Sequence, residues 1–545
     1  MKNILVMKTL KYQHFSENRS IKPPKPPYGG LKPGRQGSDS DVILVYPNKR
    51  AVANANLGVS CLKKNIEAGS DLCVELVTLD NILTNHNFPP KYNKLYKPPS
   101  RLYKNNIRKV KLIAFSISYE LDYLNLKTFF DYFKLNSFNK NRSESDPLVI
   151  AGGVSLTLNP EPVANIFDAI FIGELEPSIG EFINIINKGL SKGDALKAIN
   201  LLNGFYIPSI KRKGKVKKSV NINFKDDELL LKKLGQNEVF KNMTVLEYTR
   251  GCARRCNFCA AHSVYYPFRV KTSLSLKEVQ DVKIGLVGPL VTGIKGLKNL
   301  YKEAQVNNQS LFLSSVHIDD INEKLLELIS QSGQNSLTFS IEAGSQRLRN
   351  ILAKKLTGEE ILSKAQLISK SHIKNIKIYA MYGLPSEKEE DLQALINLVD
   401  LIRKDFIQAA KIKGLIGKIS LSMNLFIPMP HTPMQWFEVA SQKYAKKARK
   451  FIEKALKNKA NLQLKFQSLK ESYLQACILR SDRSFAEKVC CGEFDQNNFI
   501  KECLNLNKLS RLENDSTFPW DVVDIGISKE KLKLSYLNII NNHNL

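Results

Sequence analysis

The chain has 545 residues, 43% of them hydrophobic and 24% charged, with a formal net charge of +29. That length supports two or three domains with real cores, which excludes a disordered tail protein. Nine cysteines over such a length exclude a disulfide scaffold, and their odd number argues against full pairing, so a reducing, cytoplasmic setting is expected.

The opening MKNILVMKTLKYQHF sets only ILVM between lysines, too short for a signal peptide, and no later run approaches a membrane span. Residues 1–40 include SIKPPKPPYGGLKPGRQGSDS, rich in Pro and Gly without periodicity, and read as an arm. Across 41–192 the β-branched runs VILVYP, CVELVTL, VKLIAFSIS, LVIAGG and DAIFIGE alternate with helical periodicity, predicting βαβ units and a parallel, Rossmann-like sheet. Ser116 to Ser118, Gly152, Gly153, Ser155, Gly173 and Glu174 follow these strands, where open α/β sheets bind ligands.

Residues 193–240 carry the basic run KRKGKVKK and alternating apolar positions from Val216 to Phe224, expected to form a solvated hairpin and linker. Residues 241–436 begin with VLEYT and continue through VKIGLVG, SLFLSSV, SLTFSIEAG, IKIYAMYGLP and KISLSMNLFIP. Six strands with helices between them predict a partial (β/α)6 TIM-type barrel, with ligands at the strands' C-terminal ends. Residues 437–545 read as a small α+β region.

Immediately after VLEYT comes RGCARRCNFCAAH, with Cys252, Cys256 and Cys259 at spacings of three and two. Thiolates suit zinc and iron–sulfur clusters alike. A zinc centre would take His262 as a fourth ligand, whereas a cubane on three cysteines leaves one iron free for a substrate or cofactor. Cys490, Cys491 and Cys503 have poor chelating spacing and read as scattered thiols. The lysine excess permits a polyanion surface, nucleic acid included, without specifying one.

A strand followed by CxxxCxxC, with Phe258 before the last cysteine, and then a partial barrel resembles the radical S-adenosylmethionine (SAM) superfamily over roughly 240–435. YPNKRAVANANLG, AGGVSLTLNPEP, FIGELEP, PHTPMQW and PWDVVDIG extend the resemblance, over nearly the whole chain, to an uncharacterised family of radical enzymes with an N-terminal B12-binding-like domain, here 41–192. The resemblance implies a 4Fe-4S cluster on Cys252, Cys256 and Cys259, reductive cleavage of SAM to a 5′-deoxyadenosyl radical, and an electron donor such as ferredoxin or flavodoxin. It places Phe258, Gly288, Glu342, Arg347, Tyr382 and Gly383 at the cofactor and assigns no catalytic residue or substrate. The family's GGEP is absent around Gly288.

Cobalamin is a further implied cofactor, yet none of the seven histidines lies between Asp41 and Cys73, where a DxHxxG motif would supply the cobalt ligand. Two alternatives stay open. One is an RNA- or ribosome-modifying, methylthiotransferase-like enzyme, although that family has three further N-terminal cysteines where this chain has Cys61 and Cys73. The other is a non-catalytic, metal-bearing nucleic-acid-binding protein.

Overall fold

The computed structural model describes residues 40–83, 107–224, 231–234, 243–272, 274–277, 279–414, 417–492 and 494–545. The expected arm at 1–40, apart from Ser40, and the linker segments 225–230 and 235–242 lie outside the described residues.

Strands β1 (Val42–Tyr46), β2 (Val74–Thr78), β3 (Leu112–Ser116), β4 (Leu148–Gly152), β5 (Ala169–Phe171) and β6 (Phe205–Tyr206) form one sheet in the order β2-β1-β3-β4-β5-β6. All pairs are parallel except β5 with β6. VILVY is continuously apolar because both faces are covered: Ile43 and Val45 join one core, and Val42, Leu44 and Tyr46 the other. The strand order reverses between β1 and β3, a topological switch point where doubly wound sheets open a crevice for ligands.

The six strands expected downstream are all present. After β7 (Val216–Lys217), β8 (Leu231–Leu234) runs antiparallel to β9 (Met243–Glu247). The short β10 (Thr249–Arg250) and β11 (Arg269–Val270) pair with each other, while β12 (Lys283–Val287) and β13 (Ser310–Leu313) continue from β9 in parallel. A second parallel ladder holds β14 (Ser336–Glu342), β15 (Asn375–Tyr382), β16 (Ile419–Leu425) and β17 (Leu462–Phe466). The strands thus lie in two ladders; the Val316 N–H donates to the Thr338 carbonyl between them, at 2.9 Å. The fold is mixed α/β with parallel sheets.

The C-terminal residues pair with strands of the earlier regions. β17 extends the second ladder, and β18 (Val523–Asp524) pairs with β7. Helix 469–479 is buried from Ser472 through Leu479, so its sequence shows no polar stripe. Its Gln475 donates to Glu120 at 2.9 Å, and Asn159 donates to the carbonyls of Leu479 and Ser481 at 2.9 and 3.0 Å. Among the described residues no helix is long and apolar enough to cross a membrane.

Candidate active site at the cysteine loop

The β10–β11 pairing closes residues 251–268 into a loop at the C-terminal end of β9. Gly251 turns the chain at φ 76°, where a Cβ would stand 2.5 Å from the Tyr265 carbonyl oxygen, so only glycine fits. Other strand ends then converge on the loop. Arg254 pairs with Asp319 and Asp320 after β13, the latter at 2.8 Å. After β14, the carbonyls of Leu352 and Ile351 accept from the Asn257 backbone and side chain at 3.1 and 2.8 Å. After β16, Met434 N–H donates to the Asn257 carbonyl at 3.3 Å, and the His431 carbonyl accepts from Ser263 Oγ at 2.6 Å.

Cys252 is buried, and Cys256 and Cys259 are half-buried. Burial pushes the Cys256 thiol up to about 12; the Lys354 ammonium opposes this, while Cys259, Glu342 and Cys252 add to it. Three sulfurs, a carboxylate and an ammonium are therefore close enough to feel one another. Among the described residues no group of three or more His, Cys, Asp or Glu side chains is placed to hold a metal ion. His262 instead braces the loop, its Nδ1 3.0 Å from the Cys252 carbonyl oxygen.

Glu342 ends β14 at a register shift, with φ 64°, a conformation that costs a non-glycine residue about 1–3 kcal/mol and re-aims its side chain. Its carboxylate lies 3.5 Å from the buried Lys354 ammonium, which also donates to Ser340 Oγ at 3.1 Å. Sequence reasoning missed Lys354. Its signal was the pair Lys354 and Lys355 set between Leu352 and Leu356, both of them buried.

Phe258 packs on the apolar cluster of Ala343, Leu384 and Met434, together with Met381. Strand alternation turns the Tyr382 ring the other way, into the core, 5.7 Å from the ring of Phe466 on β17. Arg347, expected at the cofactor, is engaged instead by Ser386 (2.8 and 2.9 Å) and Asp391, because the long helix 389–413 begins beside it. Gly288 makes a close approach, since a Cβ there would stand 2.1 Å from Thr249 Oγ1; it fixes the base of the loop against β12. The later cysteines occupy separate surroundings: Cys477 and Cys503 hydrogen-bond each other, Cys490 lies by Ser137, and Cys491 is exposed.

Gly383 N–H donates to Glu387 at 2.6 Å, and Tyr444 OH does so at 3.0 Å. Burial nevertheless pushes the Glu387 carboxyl up to about 7. Between its ordinary value and that pH the folded chain holds the extra proton, so this contribution is full at low pH and is lost as pH rises through about 7. The ionisation then costs about 3 kcal/mol. Glu387→Gln is expected to flatten the dependence of melting temperature on pH between 5 and 8 and to raise it at pH 8, as thermal melts will show.

A cavity of about 360 Å³ lies beside the loop. Asn56, Ser116, Ser118, Gly152, Gly153, Gly173 and Glu174 line it from the N-terminal sheet, and Glu247, Arg250, Tyr265 and Gly288 from the cysteine-loop side. Ser155, a further candidate, instead donates to the Ile117 carbonyl at 2.9 Å. The basic linker was expected to be solvated, but Lys218 is buried and donates to the carbonyls of Ser263, Val264 and Tyr266 at 3.0, 2.9 and 2.9 Å. It caps the short helix 260–264 that follows Cys259. Lys218→Met should cost about 3 kcal/mol by stranding these carbonyls, measurable as a lower melting temperature.

A parallel α/β scaffold that gathers three thiols on one loop at its strand ends defines a class, and comparison with known proteins names it. A family model described as the radical SAM superfamily matches residues 246–399, and one for the N-terminal region of radical SAM proteins matches 93–208. The chain is a radical SAM superfamily protein. It is 27% identical over 457 residues to an uncharacterized protein of Methanocaldococcus jannaschii, covering 82% of this chain and 90% of that one. It is 26% identical over 252 residues to a ribosomal protein uS12 methylthiotransferase of Thermodesulfovibrio yellowstonii, covering 43% and 57%. Among solved structures it is similar to a cobalamin-dependent SAM radical enzyme, OxsB, with aqua-cobalamin and SAM bound: TM-score 0.46, 12% identity, 93% of this chain and 80% of that one.

Proposed function

We propose that this chain is a radical SAM enzyme in which Cys252, Cys256 and Cys259 hold a 4Fe-4S cluster and SAM lies among Glu342, Lys354, Phe258 and the Gly383 backbone. The observation that carries this reading is the loop itself, three thiols on one segment fastened from several strand ends beside a buried ammonium–carboxylate pair. When bound, a cluster with one iron free of protein ligands supplies the electron for reductive cleavage of SAM. Lys354 offers a cation to the cofactor carboxylate, and Glu342 an acceptor for its amino group or ribose hydroxyls. The apolar wall around Phe258, Ala343, Leu384 and Met434 keeps water from the reacting atoms. Ser314, directly after β13, has a buried hydroxyl without a hydrogen-bond partner among the described residues, a cost that a bound ligand would relieve.

Anaerobic reconstitution should give about four irons per chain, and the reduced protein should release 5′-deoxyadenosine from SAM, measured by chromatography. Stoichiometric zinc without cleavage would sink the reading.

The cavity beside the loop is the natural seat for a substrate or second cofactor. Cobalamin fits it only in part. Pockets for drug-sized ligands run from about 300 to 1,000 Å³, and a corrinoid is larger than such ligands; no histidine is among the described lining residues to meet cobalt. Uptake of hydroxocobalamin, read from its visible spectrum, decides the matter. The likeness to a methylthiotransferase, together with the charge of +29, favours RNA or a ribosomal protein as a second reading. Binding to RNA should then weaken steeply with salt, and no binding at low salt would remove the RNA form of it.

A further inference from the structure

The cavity and the cysteine loop share one wall, and that wall is an ion network. Arg250 precedes Gly251, and its guanidinium meets three carboxylates: Glu174 at 3.0 Å, Glu176 at 2.6 Å and Glu247 at 3.0 and 2.9 Å. Glu174 and Glu176 belong to the segment after β5, in the N-terminal half. Across the β10–β11 ladder, Arg269 forks onto Glu174 at 2.8 and 2.6 Å and also donates to the carbonyls of Asn221 and Tyr265 at 2.6 and 3.2 Å. The Phe224 ring lies beneath Arg250, 4.6 Å from its guanidinium carbon.

These side chains are nearly excluded from water, at 12% exposure for Arg250, 9% for Arg269 and 9% for Glu174. A buried ion network adds little net stability over apolar packing, yet losing one partner strands the others, so its members hold a fixed geometry. The ladder it reinforces is only two residues long on each side. The forked pairs join the start of the cysteine loop to the N-terminal half, while Leu158 packs on Ala260 and Val264 further along it.

We propose that Arg250 is a positioning residue: through Glu174 and Glu176 it ties the start of the cysteine loop to the N-terminal half, so that the wall of the cavity sets the shape of the loop. This rests on the cluster reading above only for what the loop is for.

The test uses the full chain, first reduced and metal-free. Iodoacetamide labelling followed by peptide mass spectrometry gives an alkylation rate for each loop cysteine. In Glu174→Gln the rates at Cys252 and Cys256 rise about ten-fold or more, because the base of the loop opens more often. Arg250→Lys keeps the charge but not the fork and gives a smaller rise at the same cysteines. Arg483→Gln breaks the pair with Glu161, outside this network, and leaves wild-type rates. After reconstitution, the electron paramagnetic resonance spectrum of the reduced cluster shifts in Glu174→Gln and not in Arg483→Gln. Wild-type rates in both network variants overturn the proposal, as does equal acceleration in Arg483→Gln, which would mean general loosening. If Glu174→Gln does not fold, Glu176→Gln decides in the same way. Alkylation is read without a cluster, so a wild-type protein that takes up no iron sinks the function proposed above and not this link.

Discussion

The Cys256→Ala variant is expected to fold with a melting temperature close to that of wild type and to lose 5′-deoxyadenosine formation by at least about a thousand-fold, as the loss of a cluster ligand implies. The structural cost is small because the change removes one sulfur from a half-buried position, roughly 1 kcal/mol for an ordinary substitution. The loop stays fastened by Arg250, Arg254, Asn257 and Ser263, none of which touches the deleted atom's role. The chemical cost is large because a donor set of three falls to two, and a cubane with two irons lacking protein ligands does not persist through anaerobic desalting. Iron content, visible absorption and product formation measure it together. Cys491→Ala, at an exposed position away from the loop, should leave all three unchanged. A Cys256→Ala protein that retains four irons and full cleavage would remove the three-thiolate assignment.

Much of the scaffold was legible in the sequence because its signals are local. VILVY and LVIAGG declare buried parallel strands by continuous apolar runs, SLTFSIE declares its strand by alternation, and CxxxCxxC marks by spacing the loop proposed to hold a cluster. The end of β14 was legible as a strand end, and Glu342 is its last residue. The parts that escaped are set by partners distant in the chain. Arg250 and Glu174 stand 76 residues apart, and nothing in FIGELEP or TRGC states that each completes the other. Lys218 sits in a run of lysines whose composition suggests solvent, but β7 pairs with β18 far along the chain and turns that one lysine inward. LQLKF gave a strand but not its sheet, because β17 has half-buried side chains throughout and joins β16 by backbone pairing. Tyr382 was placed at the correct strand end, yet alternation sends Met381 towards Phe258 and the tyrosine ring into the core.

Lys354 is the residue whose replacement should separate structure from cofactor binding most clearly. Lys354→Met is expected to destabilise the chain by about 3 kcal/mol, because it leaves the Glu342 carboxylate, 10% exposed, without its partner. SAM affinity should fall about ten-fold or more, the size of one charge-assisted hydrogen bond lost at a buried site. The first effect alone would be ambiguous, since a loosened β14 end would also disturb the cofactor. The double variant Glu342→Gln/Lys354→Met resolves this: a neutral amide beside a thioether restores most of the melting temperature, so the two changes are strongly non-additive in stability. It brings back no cation, so SAM binding, measured by equilibrium dialysis on the reconstituted protein, stays weak. If the double variant instead binds SAM as tightly as wild type, the pair serves only to hold the strand end, and the cofactor carboxylate must find its partner elsewhere in the loop.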